Sequence, residues 1–186
     1  VYSLKPDQLQ LGFLKVLKGS GMFYDSPEMG IVYKDQPPFE VLYTKWLSYD
    51  DVLKLKQVEE MVELYYNTGQ FEYSIGYLEH FYKTPFDLYE ALSEYYEKNG
   101  LFLLNHSRMK RYEILLDFVR EQGKTAKQSI NKAVNGLFID NFDEDTFIYI
   151  MLFDLYLREN LKSRPSFIKS GESYKQIYRD FSVKFG

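Results

Sequence analysis

Apolar residues recur every second position near the start of the chain and at helical spacing beyond residue 48. In the first stretch Leu9, Leu11, Phe13, Lys15 and Leu17 alternate with Gln10, Gly12, Leu14, Val16 and Lys18. Both faces are largely apolar, which suits a buried parallel strand. A helix starting after Pro6-Asp7 is the alternative, because short apolar runs carry both patterns. Gly19-Ser20-Gly21 then predicts a turn. Ile31-Val32-Tyr33 and Val41-Leu42-Tyr43 form a second, shorter pair of candidate strands.

Helices follow. Ser48 stands three residues before Asp51, close to a capping-box pattern, and Val52, Leu55, Val58, Met61/Val62 and Tyr65 mark one face of a helix over 48–67. Asn67-Thr68-Gly69 supplies the residue types that end it. A weaker helix is expected over 70–81. Thr84-Pro85-Phe86-Asp87 opens a stronger one, with Thr84 as cap and Pro85 at the first helical position, running to Lys98 before Asn99-Gly100. Ser107 caps a helix through Tyr112, Leu115, Leu116 and Val119 that stops at Gly123, and Thr125 starts another through Ile130, Ala133, Val134 and Leu137. Asp143–Thr146 opens the most apolar helix, whose Phe147, Ile148, Ile150, Met151, Leu152, Phe153, Leu155 and Tyr156 leave little polar face and so predict a central position. A last short helix is expected over 174–181. The fold class is mainly α, a multi-helix domain with a small β-containing N-terminal remnant.

Composition narrows the function classes. The 18 Tyr and 15 Phe suit helix packing through large, semi-polar rings. A net charge of −4 argues against sequence-blind binding to phosphate backbones, so no nucleic-acid partner is expected. The chain has no cysteine, which excludes disulfides, a thiol nucleophile and any iron–sulfur cluster held by this segment. That usage fits a cytoplasmic protein. No apolar run approaches the roughly 20 residues of a membrane span, so no membrane partner is expected either.

Candidate chemistry is sparse. His80 and His106 lack Glu or His at the spacing of a helical metal site, and a structural or surface role is expected for both. Asp140, Asp143, Glu144 and Asp145 do not match a calcium loop and read as helix capping. Glu59, Glu60 and Glu63, interspersed with Lys54 and Lys56, read as a solvated face. No catalytic constellation and no metal site emerge.

Four stretches carry a resemblance. LQLGFLKVLKGSGM, residues 9–22, resembles the last strand and turn of a radical-SAM barrel of the cobalamin-binding type. PPFEVLYTKWLSYDDVLKLKQVEEMVELYYNTGQF, residues 37–71, resembles the start of the helical domain that follows such a barrel, and TPFDLYEALSEYYEKNG and HSRMKRYEILLDFV are similar to its later segments. The resemblance implies that residues 1–36 are the end of a truncated α/β barrel with a linker, and that residues 37–186 are a C-terminal helical domain of a longer Fe–S oxidoreductase. It implies a [4Fe–4S] cluster, S-adenosylmethionine and cobalamin in that parent, with none of them held by this fragment. It also implies that Phe13, Lys15 and Leu17 line the cofactor site of the intact protein, where the barrel's last strand lies beside the adenine. The partners expected are the parent's own barrel and a substrate of unspecified class. The alternative is a non-catalytic helical protein-interaction module.

Overall fold

A computed structural model of the chain describes residues 1–128 and 142–158, together with residues 165, 167 and 183. Among these the architecture is mainly α. The six helices are α1 (Gly21–Asp25), α2 (Tyr49–Val62), α3 (Glu72–Glu79), α4 (Pro85–Lys98), α5 (Arg108–Gln128) and α6 (Glu144–Arg158). A single antiparallel hairpin pairs β1 (Val32–Tyr33) with β2 (Val41–Tyr43).

The helix boundaries follow local chemistry. Ser48 Oγ accepts the Asp51 N–H at 3.1 Å while an Asp51 carboxylate oxygen accepts the Ser48 N–H at 2.9 Å, a complete capping box on α2. Thr84 and Asp87 repeat the box on α4, with Pro85 at its first position. Each such cap stabilises its helix by about 1 kcal/mol. Ser107 Oγ accepts the Lys110 N–H at 3.2 Å at the start of α5. The expected 48–67 helix is present, but its last turn, Glu63–Asn67, widens into a π-helix. Gly69, at φ +60°, ends it through the left-handed conformation that glycine adopts freely.

α6 is central, as its all-round apolar pattern predicts. Phe147, Met151, Leu152 and Leu155 are buried, and α6 packs along α3 while α2 packs along α4. Their apolar faces merge with Tyr112, Leu115 and Phe118 of α5 into one core.

Two expectations need correction. The helix expected to stop at Gly123 continues to Gln128. A glycine inside a helix costs only about 1 kcal/mol, too little to end one held by tertiary packing. Residues 9–14 form neither the parallel strand nor the alternative helix. The run is irregular and meets the hairpin through one antiparallel bridge, Lys15 with Glu40. Cover along the run is uneven: Leu11, Leu14 and Leu17 are exposed, Leu9 and Phe13 are half-buried, and Val16 is buried. The remainder of the helix expected beyond Thr125, Asp140, and the short helix over 174–181 lie outside the described residues.

Candidate functional site at the open edge of the N-terminal lobe

Residues 11–47 form a small lobe around Val16, Ile31 and Val41, flanked by Met22, Phe23, Met29 and Tyr33. Gly19, at φ +82°, turns the chain, and Ser20 Oγ accepts the Phe23 N–H at 3.3 Å to start α1. Gly19-Ser20-Gly21 therefore serves as turn and cap. The Pro37–Pro38 peptide bond is cis, and Phe39 follows at φ +56°. That left-handed backbone costs a non-glycine residue about 1–2 kcal/mol, and it aims the Phe39 carbonyl at the Val16 N–H, 2.8 Å away. The Val41 N–H reaches the Leu14 carbonyl at 2.9 Å. These two bonds fix the register of the 13–17 segment.

Phe13, Lys15 and Leu17 fall at alternate positions along this singly bridged segment. Phe13 is half-buried, with Lys56 Nζ of α2 lying 4.9 Å from its ring centroid. Lys56 also forms an ion pair with Glu40, the residue that bridges Lys15. Lys15 is exposed, and Leu17 is 54% exposed. Trp46, just before α2, is 68% exposed, and Leu14, Tyr43, Leu47, Tyr49 and Leu53 are open as well. So many open apolar side chains on and beside a lobe with a three-residue core mark a surface suited to contact. Chemically, the edge offers apolar and aromatic packing with exposed lysines among it, Lys15, Lys18 and Lys45, the last with its Nζ 4.4 Å from the Trp46 ring centroid.

The histidines are engaged locally. A His80 ring nitrogen lies 2.8 Å from the Gly76 carbonyl, and a His106 ring nitrogen lies 2.9 Å from the Leu101 carbonyl. Asp143 accepts from the Thr146 N–H and hydroxyl at 3.2 and 2.5 Å, and that hydroxyl is the main reason its carboxyl titrates below the usual range. Asp143 thus caps α6, while Glu144 beside it accepts from the Arg120 guanidinium of α5 at 2.8 and 2.9 Å. Among the described residues no group of three or more His, Cys, Asp and Glu side chains converges as metal ligands do.

Two buried polar groups escape sequence patterning. Asp154 of α6 is buried and caps α3 from another helix. It accepts the Tyr73 N–H at 3.1 Å, the Ser74 N–H at 2.7 Å and the Ser74 hydroxyl at 2.6 Å. Burial pushes its carboxyl up to about 6, against the opposing pull of those donors. The available signal was a lone carboxylate inside an apolar run, which must find donors if the run is buried. Tyr65, in the π-turn, meets the Tyr96 hydroxyl at 2.7 Å inside the core. Burial raises the Tyr65 hydroxyl well above its ordinary range, so the pair is neutral. Both arrangements hold helices together.

Fold and site together define a mainly α domain carrying a small hairpin lobe with an open apolar edge. The chain belongs to the family described as Protein of unknown function (DUF4080), which matches residues 27–184. No curated protein and no solved structure matches it. No helix among the described residues is long and apolar enough to cross a membrane.

Proposed function

We propose that this chain is the C-terminal accessory domain of a radical-SAM Fe–S oxidoreductase, shielding the barrel and shaping its substrate site. The observation that carries the reading is the open apolar edge around Leu14, Leu17 and Trp46, which falls on the segments that resemble the barrel's last strand and the start of the following domain. The residues present do not fit a cysteine-held cluster, because the chain has no cysteine. The cluster, S-adenosylmethionine and cobalamin belong to the parent's barrel in this reading, and no step is assigned to them here. Phe13, Lys15 and Leu17 would contribute a packed ring, a cation and an apolar side chain beside the cofactor. The aromatic helices would exclude water from reactive intermediates. The compartment consistent with this chemistry is the cytoplasm, and the partners are the barrel and its substrate.

The test uses the full-length parent handled without oxygen. Its absorption spectrum reports the cluster, and 5′-deoxyadenosine formation reports S-adenosylmethionine cleavage. Both are expected in the parent. Leu17→Ser and Trp46→Ser are expected to alter product distribution while leaving cleavage largely intact. A parent with neither cluster nor cleavage would overturn the reading. The same open edge would then favour a protein-interaction module.

A further inference from the structure

The backbone of residues 13–17 is bonded along one side and bare along the other. The Val16 N–H donates to the Phe39 carbonyl at 2.8 Å and the Leu14 carbonyl accepts the Val41 N–H at 2.9 Å, on either side of the antiparallel bridge between Lys15 and Glu40. Successive residues of an extended chain turn their N–H and C=O groups to opposite sides. Leu14 and Val16 therefore face β2, and Phe13 and Lys15 present theirs outward. Among the described residues neither outward residue makes a backbone hydrogen bond. β2 is filled on its far side by β1, so residues 13–17 are the outer edge of a three-stranded arrangement. The edge ends at Leu17, whose carbonyl accepts the Ser20 N–H at 3.1 Å and the Ser20 hydroxyl at 2.7 Å. A row of unpaired N–H and C=O groups is a template for another extended chain.

Side chains select that chain. Phe13, Lys15 and Leu17 share one face of the edge. Lys15 has Glu40 across the bridge, but the Glu40 carboxylate is paired with Lys56 of α2. Lys15 itself is exposed and forms no ion pair among the described residues. A second copy of the chain, paired antiparallel about Lys15, would set one Lys15 against the other, and like charges directly opposite are destabilising. A strand with a carboxylate opposite Lys15 and apolar side chains opposite Phe13 and Leu17 suits all three positions, and its main chain would bond the bare edge.

We propose that the outer edge of residues 13–17 is a strand-addition site for an extended segment of a partner protein, with an acidic residue at Lys15 between two apolar ones. The inference rests on the edge itself and does not depend on the accessory-domain reading.

The probe is the capped peptide Val-Thr-Glu-Thr-Val, read by amide hydrogen exchange and by NMR titration of the chain. Without peptide, the Lys15 amide is expected to exchange faster than that of Val16, which is bonded to Phe39. Millimolar peptide is expected to slow exchange at Lys15 severalfold. Replacing the peptide's glutamate by lysine is expected to weaken binding by about fivefold, the size of a cross-strand charge effect, and Lys15→Glu is expected to reverse that preference. Methylating the glutamate nitrogen of the peptide, which deletes a main-chain donor, is expected to abolish binding. A Lys15 amide as protected as Val16 in the free chain would overturn the proposal, since the edge would then be covered. So would the absence of any slowing by peptide, or equal binding of the methylated one. A glutamate preference unchanged in Lys15→Glu would overturn the selection by charge. Protection of Lys15 that rises with protein concentration alone would give the edge to a second copy instead.

Discussion

Among the described residues the helical bundle buries twenty-three apolar side chains in one cluster, whereas the N-terminal lobe buries three, Val16, Ile31 and Val41. Both use aromatic and branched side chains, so residue type does not separate them. Layering does. Each bundle helix has neighbours on its apolar stripe, and α6 is largely enclosed. The lobe is one hairpin with a short helix and one bridged segment, too thin to cover both of its sides. A two-stranded hairpin is marginal by itself, and this one leans on α2 through the Lys56–Glu40 pair. Among the described residues the bundle therefore holds most of the buried apolar surface, and the lobe is a thin attachment that leaves much of its own uncovered.

The largest test of that contrast is Leu152→Asp. It places an uncompensated carboxylate where a leucine is 1% exposed and removes about 1.5–3 kcal/mol of apolar burial before the charge is counted. Loss of cooperative unfolding, read by circular dichroism, is expected. Near-normal thermal stability would show that α6 is not central.

Asp154 gives the next effect. Its folded-state carboxyl, near 6, lies above its ordinary 3.8, so the folded protein holds the proton more tightly than the unfolded chain. Stability from this group is fully present below about 4 and is lost as pH rises through about 6, by roughly 3 kcal/mol in all. Asp154→Asn is expected to flatten that part of the pH profile in urea unfolding. It also leaves at least one of the three donors poorly served. An unchanged pH slope in the variant would mean that Asp154 stays ionised in the fold.

A smaller effect separates the two bodies directly. Val41→Ala removes apolar burial worth about 1–2 kcal/mol from a core of three. Exchange of the Val16 and Val41 amides is expected to accelerate while Leu115 and Met151 stay protected. Equal loss in both regions would merge lobe and bundle into one cooperative unit.

The smallest pair compares two glycines. Gly19→Ala at φ +82° and Gly69→Ala at φ +60° each add left-handed strain of about 1 kcal/mol. Gly69→Ala is expected to lower global stability in urea unfolding. Gly19→Ala is expected to leave that midpoint in place and to change only lobe amide exchange.

What the sequence determined by itself was set within a few residues, though not every local signal held: Gly123 did not stop α5 and residues 9–14 formed no strand. The Ser48/Asp51 and Thr84/Asp87 boxes, the Gly69 stop, the pairing of 32–33 with 41–43 and the central rank of α6 were all legible, because a cap or a turn is decided by neighbours in the chain. Phe13, Lys15 and Leu17 were visible as an alternating set, but not their setting. Their register depends on Phe39 and Val41, and Phe13 meets a lysine on α2. The Asp154 cap on Ser74 spans 80 residues and the hydrogen bond from the Leu9 N–H to the Asn67 side chain spans 58. No local rule anticipates either, since a buried polar group needs a donor or acceptor and is indifferent to where in the chain it originates. Tertiary structure alone decided these, and with them which polar side chains became supports and which apolar ones were left open.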